Sequence, residues 1–389
     1  MVKCISGKKR RCTFCMFKTG EMNERYPFPI RFLVFLLSTI LVVYILIQAR
    51  EYLYPIILGF LFSYLLLPIA AALEKRSVPR ILANLISILI GVVIISGFVF
   101  FIYSQVSVLL EDFPEIKRQA SKNVNNIVAT VNEFLGMDDH ELKDILNHRV
   151  NNIFTSSSNF LSKVFTATTG TIIKIGLLPV YVFLFLYYRT KIAIFFLKVV
   201  PVEKRHVTVK ILKEIAEVTK NYMGGVFAVV AILCVLNSTG LWIIGMDYPI
   251  VLGVLSALFN FIPYFGTLIG GFIPLTYAIL AASSPVFVFR VIILFIIIQF
   301  TENNILTPNI SGGAVKINPM VTIFSIVAAG MVWGIPGMFA IIPLMGMLKI
   351  ILGNLEETQS YAFLIGTKGT KRHAINRENF RKLYKHMFK

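Results

Sequence analysis

Long apolar runs dominate the pattern of the chain. Residues 30–48, 52–73, 81–110, 164–188 and 222–245 each supply close to the ~20 consecutive apolar residues that a helix needs to cross a hydrocarbon layer. Three more segments follow at 248–282, 286–300 and 320–352, so about eight are predicted. Between the third and fourth runs the pattern changes to helical periodicity. Ile116, Ala120, Val124, Ile127, Val131 and Phe134 predict an amphipathic helix, and Asp138 with Glu141 forms a capping box for a second one carrying Leu142, Ile145, Leu146 and Val150. A further amphipathic stretch, 201–223, sets Val207, Ile211, Ile215, Val218 and Tyr222 on one face, with Lys204, Lys210, Lys213 and Lys220 around the rest, as in a helix lying along a membrane interface. The expected fold class is all-α, a polytopic transmembrane helical protein.

Composition agrees with the pattern. The chain is 56% hydrophobic and 15% charged, with a mean hydropathy of +0.76, too apolar for a soluble chain of 389 residues. Its 38 Lys and Arg exceed its 20 Asp and Glu by a formal charge of +18, and the location of that excess matters more than its size. Basic residues collect before the first run (Lys8, Lys9, Arg10, Arg11), after the second (Lys75, Arg76, Arg80) and after the fourth (Arg189, Lys191, Lys198, Lys204, Arg205). The positive-inside rule makes that side cytoplasmic, so both termini are expected inside and no nucleic-acid partner is called for. The first run is too long, and too soon followed by the next, for a cleaved signal peptide, so it reads as a retained span.

The expected organisation is a basic cytoplasmic segment at 1–29, transmembrane helices 1–3 at 30–110 and an extracytoplasmic helical loop at 111–163. A fourth span follows at 164–188, then a cytoplasmic amphipathic region at 189–221, a transmembrane core at 222–352 and a basic cytoplasmic tail at 353–389.

Within the core, residues 247–280 and 318–351 share a pattern of helix-disrupting residues. Pro249, Pro263, Gly266 and Pro274 mark the first, and Pro319, Gly334, Pro336, Gly337 and Pro343 the second. The two units are offset by about seventy residues, as in an internal repeat. Proline and glycine inside such a segment free backbone groups that lipid cannot satisfy, so the breaks should face protein or a water-filled cavity. Paired broken helices also point to a transporter's binding region. Each unit either re-enters as a hairpin or spans fully, and the alternative to a transport role is kinking for close helix packing.

Chemistry-bearing residues gather nearby. Gln299, Thr301, Glu302, Asn303 and Asn304 place one acid among amides at the end of a span. A carboxylate at membrane depth is costly unless it faces a cavity or a partner, which makes Glu302 the candidate proton or cation site; the alternative is an interfacial glutamate in water. Asn260, Tyr264, Thr267 and Asn237 are the polar groups near the first broken unit, with Asn237 expected to bond between helices. Lys174 is expected to snorkel. No G-x-S-x-G, Walker A or H-E-x-x-H pattern occurs, and Cys12 and Cys15 form a lone C-x-x-C without a second pair. Neither enzyme activity, nor a metal, nor a cofactor is expected.

Several local runs make the chain resemble the autoinducer-2 exporter family of bacterial permease-like proteins. They are Phe261-Ile262-Pro263-Tyr264-Phe265-Gly266, Glu302-Asn303-Asn304 running into Pro308, Gly312-Gly313, Asn318-Pro319, Gly334-Ile335-Pro336-Gly337 and Pro343-Leu344, within a likeness covering about residues 30–352. The resemblance implies a homo-oligomeric, pentameric, inner-membrane exporter whose cargo in some relatives is the quorum-sensing signal autoinducer-2. Others resemble sodium/proton antiporters, and a non-transporting scaffold is the reading from another class. The implied partners are a small-molecule or cation substrate and the lipid bilayer.

A single cysteine at Ser311 distinguishes hairpin from full-span topology. Hydrophilic thiol reagents are expected to reach it from the cytoplasmic side if the broken units are hairpins, and labelling only from outside would exclude that arrangement.

Overall fold

The computed structural model describes residues 27–135, 148, 152, 155, 169–262, 265–281, 285–310 and 315–367. It divides into two units, residues 1–50 and 51–389. The first contributes α1 (Phe28–Gln48), which starts with proline in its first turn and has no acidic residue in that turn and no basic one in its last. Its side chains from Phe32 to Val43 are exposed and apolar, apart from Ser38 and Thr39, whose hydroxyl donates back to the Phe35 carbonyl.

In the second unit come α2 (Arg50–Lys75), α3 (Arg80–Glu111), α4 (Phe113–Leu135), α5 (Thr169–Val199) and α6 (Arg205–Ile244). Then follow α7 (Pro249–Leu258, prolonged by a 3-10 turn), α8 (Phe265–Ala281), α9 (Pro285–Thr301, continuing to Ile310), α10 (Pro319–Asn354) and the short α11 (Gln359–Ile365). Among the described residues, six helices are long and apolar enough to cross a membrane, and four shorter apolar helices accompany them. The chain is an all-α polytopic membrane protein.

Some boundaries differ from the expected ones. The amphipathic stretch and the span after it are one helix, α6, because no proline interrupts 205–244 and the Gly224–Gly225 pair stays helical; it ends where Gly245 takes a left-handed φ of 86°. Helix α5 runs on to Val199, beyond the span expected at 164–188. The first amphipathic helix of the long loop is α4, which buries Ile116, Ala120, Val124 and Val128 against Val106, Leu109 and Val251. The capping box at Asp138, the side chain of Lys174 and the C-x-x-C lie outside the described residues.

Both proline- and glycine-broken units are antiparallel helical hairpins. In the first, a Cβ on Gly270 would lie 2.3 Å from the Ser256 carbonyl oxygen and one on Gly266 would lie 2.0 Å from that of Phe259. Only glycine lets α7 and α8 approach this closely. The pairing extends to the open end, where the Tyr248 and Tyr277 rings meet edge to face at 6.0 Å. At ~1.5 Å per residue, the apolar arm Pro249–Phe261 is about 20 Å long, short of the ~30 Å of a hydrocarbon core.

In the second, α10 reverses at Gly334, whose φ of 65° and ψ of −146° suit glycine alone. A Cβ on Gly337 would strike the Ala329 carbonyl at 2.4 Å, and the Lys349 amine donates to the Lys316 carbonyl where the arms open.

The hairpins open at opposite ends of this unit. At one end Tyr248 donates to Asp112 beside α4, and Asn123 donates to the Leu280 carbonyl at 2.8 Å. Burial first, and then the Asp112 carboxylate, push the Tyr248 hydroxyl up to about 12, so it remains a donor at any physiological pH. At the other end Ile317 pairs with Gly366, and Asn354 donates to Glu214 at 3.2 Å. Between them Phe261, at the closed end of the first hairpin, packs on Phe339 of the second at 5.8 Å and on Phe227 of α6 at 5.1 Å.

Gly270→Ala should force the α7–α8 pair apart and lower the thermal stability of the detergent-solubilised protein by ~1–3 kcal/mol, as overpacking does. Gly97→Ala, where nothing lies within 4 Å, should leave it unchanged or raise it. Equal melting temperatures for Gly270→Ala and wild type would show that the close approach does not hold the hairpin.

Candidate functional site

Glu302 ends the regular part of α9. From Pro285 the axis advances ~25 Å to reach it, and the helix continues for about 12 Å more to Ile310, which sets the carboxylate roughly two-thirds along the span. There the backbone widens into one π-helical turn, Glu302–Leu306, in which the Thr307 N–H donates to the Glu302 carbonyl five residues back. Such a turn changes which side chains face inward, and such turns recur at functional sites. Here it places Glu302 inward, 8% exposed, while Asn303, Asn304 and Ile305 are exposed. The carboxylate is thus enclosed by protein and does not face open water. Asn304 spends its amide on the Phe300 carbonyl at 2.8 Å, so the two amides next to the acid in sequence are not beside its carboxylate in space.

Glu302 instead meets the first hairpin. Asn260, in the 3-10 turn that closes α7, donates to its Oε2 at 3.4 Å. Beyond lies a small cavity of about 10 Å³, the space of one water molecule, lined by Asn237, Ser256, Asn260, Gln299 and Glu302 with Leu233, Phe295 and Ile298. Asn237 of α6 is 3% exposed and donates to the Gly253 carbonyl at 3.4 Å and to the Ser256 hydroxyl at 3.3 Å. Those bonds cross between helices, as the sequence predicted, and leave the Asn237 Oδ1 buried with no partner among the described residues. A buried acceptor of this kind is costly unless something donates to it or coordinates it. Three helical elements thus bring one carboxylate, three amides and a hydroxyl to one water-sized space inside an apolar bundle. The arrangement can hold a proton, a water or a small cation through oxygen ligands; no cluster of three or more His, Cys, Asp or Glu occurs among the described residues.

The other candidates fall in three groups. Pro263 and Tyr264 lie outside the described residues, as does the side chain of Thr267. Gly266 and Pro274 belong to α8, Gly266 as the contact that closes the hairpin over Phe259. Gly334 is the reversal of the second hairpin, Pro336 and Gly337 start its return arm, and Pro343 is buried within that arm; they shape the hairpin and do not line the Glu302 cavity.

Ser256 was not singled out in the sequence, because a serine within an apolar helix carries no signal until its neighbours are known. The Tyr222 hydroxyl was missed for the same reason; within the apolar cluster where the two hairpins meet it is buried with no partner among the described residues. So was Glu74, which pairs with Arg189 and, at 3.7 Å, with Arg80, across more than a hundred residues of sequence in the first case.

Multiple spans, two glycine-closed hairpins opening at opposite ends and a buried polar site against the first of them fit a membrane transporter of the permease type. Residues 33–357 match the AI-2E transporter family, and the chain belongs to that family. Relatives agree. YrrI of Bacillus subtilis, named as a transport protein, is 29% identical over 308 residues, covering 77% of this chain and 85% of that protein. A Borreliella burgdorferi protein, also named as a transport protein, is 24% identical over 317 residues, with 80% and 84% covered. PerM of Escherichia coli K12, named as a permease, is 22% identical over 307 residues, with 77% and 86% covered.

Asn237→Ala removes both donations to the first hairpin and leaves Ser256 and Gly253 to find other partners. It should lower thermal stability by ~1–3 kcal/mol, the usual range for a broken buried hydrogen bond. An unchanged melting temperature would mean that the amide does not tie α6 to α7.

Proposed function

We propose that the chain exports a small polar solute across the inner (plasma) membrane, driven by a proton or monovalent cation taken up at Glu302. The observation that carries the coupling is that, among the described residues, the one buried carboxylate stands beside a one-water cavity and a buried amide oxygen with no partner there. A carboxylate at that depth is tolerable when it alternates between a protonated or cation-bound state and access to one face, and that alternation is what a coupled carrier needs. Hairpins that open at opposite ends and meet at Phe261 and Phe339 supply a thin barrier with one movable element for each face. The solute would pass along the freed backbone at the hairpin tips, with Tyr264, Asn303 and Asn260 as contacts.

The cargo proposed is autoinducer-2, on the family's description, which makes the function one of quorum-sensing export rather than catalysis. By the positive-inside rule, the excess of basic residues at the Glu74 end supports a cytoplasmic position for that end and for both termini. The functional unit proposed is a homo-oligomer, a pentamer by family resemblance. A second reading, sodium/proton antiport, is favoured by the size of the cavity: about 10 Å³ admits an ion or a water and no organic solute.

The two readings separate in one strain and one vesicle. Deletion in a producing strain is expected to lower extracellular autoinducer-2, wild-type protein to restore it, and Glu302→Gln to fail to restore it although it reaches the membrane. Unchanged signal on deletion would remove autoinducer-2 as the cargo. A sodium-driven change of internal pH in proteoliposomes, abolished by Glu302→Gln, would then establish antiport.

A further inference from the structure

At the Glu74 end, away from the Glu302 cavity, α3 begins beside the second half of α5. An open groove of about 610 Å³ runs between them, with Arg80, Thr190, Lys191 and Tyr187 along it and Ile81 and Ile194 as apolar walls. Its polar groups are held in place. Arg80 donates to the Thr190 hydroxyl at 3.2 Å and to the Tyr187 carbonyl at 3.5 Å, and the Lys191 amine sits 5.6 Å from the centre of the Tyr188 ring.

The local charge is unbalanced. Arg189 and Arg80 share one carboxylate, Glu74, and Lys75, Arg76 and Lys191 adjoin these residues in sequence. The Arg189 Nη1 remains buried without a partner among the described residues. From the groove toward the span, the exposed Leu82 and Leu85 of α3 continue the apolar wall that Ile81 begins. A cationic groove that opens sideways onto an apolar helix surface matches one kind of molecule, with an anionic head and hydrocarbon tails.

We propose that this groove is a binding site for an anionic phospholipid, whose phosphate lies between Arg80 and Lys191 and whose acyl chains run along Leu82 and Leu85 of α3. Arg80 and Thr190 fix the phosphate's position and Lys191 supplies the charge that Glu74 does not offset. Bound there, the lipid would join α3 to α5, two helices that pack directly on each other. The site rests on the reading of the chain as membrane-spanning and is independent of cargo and coupling ion.

Native mass spectrometry of the full-length chain in mild detergent tests it, with phosphatidylglycerol, phosphatidylcholine and free inorganic phosphate as the three probes. Phosphatidylglycerol adducts should persist where phosphatidylcholine adducts do not. Lys191→Gln should weaken phosphatidylglycerol binding by about fivefold, the factor one surface cation is worth against an anionic lipid. Lys191→Arg should keep wild-type binding, which separates loss of charge from loss of fold. Equal retention of both lipids, or binding unaffected by Lys191→Gln, would overturn the site. Displacement of the lipid by millimolar phosphate would overturn the commitment to lipid. Dissociation of an oligomer by Lys191→Gln with lipid binding unchanged would assign the groove to a second copy of the chain instead.

Discussion

In hydrocarbon, every backbone N–H and C=O must find its partner inside the protein, and most of this architecture follows from that requirement. Long helices meet it by themselves. A chain that turns back at membrane depth does not, because the turn leaves carbonyls and amides free. Here the first turn packs inside the protein, while the second, with Met331, Gly334 and Ile335, is exposed. The first lies against α6 and the second hairpin through Phe261, and the second reverses at Gly334, where the left-handed backbone lets the return arm fold straight back on its partner. Gly266, Gly270 and Gly337 then bring the arms so close that a methyl group would overlap a carbonyl. The glycines of the broken units thus serve close packing and the turn together.

The same enclosure makes a buried charge possible. Glu302 lies where α9 passes the closed end of the first hairpin, and the turn that ends α7 supplies Asn260 as its donor. Without the hairpin the carboxylate would face lipid, at several kcal/mol. Without the π-helical turn the succession of inward side chains after Thr301 would differ. The functional site is therefore a consequence of how the hairpin closes, and a perturbation of either should be felt in the other. Tyr248 and Asn123 tie the open end of that hairpin to the end of α3 and to α4.

The family and its named relatives are transport proteins and permeases, which agrees with a site built of oxygen ligands. The bundle's two ends differ in kind. One is a set of neutral and acidic contacts around Tyr248 and Tyr277; the other is basic, with Glu74 holding two arginines. That asymmetry is what orients a helical protein in a membrane, and it also concentrates cations where anionic headgroups lie.

Much was legible from the residues alone. Apolar runs of the length of a membrane give helices whatever they pack against, so the all-α multi-pass class and the start points of α2, α3 and α9 could be read directly. The periodic Ile116, Ala120 and Val124 marked the buried face of α4, and the charge cost of Glu302 marked it as a functional candidate. Three things awaited the tertiary structure. Whether the broken units turned back was open, since proline and glycine permit a kink or a reversal equally and only the Ser256–Gly270 and Ala329–Gly337 approaches decide for reversal. The partners of Glu302 were open too: Asn303 and Asn304 adjoin it in sequence, yet the helix turns them outward, and Asn237, Ser256 and Asn260 reach it from elements more than forty residues earlier. The Glu74–Arg189 pair was invisible for the same reason. Local pattern fixes which segments prefer water or lipid, because that preference belongs to each residue; which polar groups meet depends on how the helices pack, and that is a property of the whole chain.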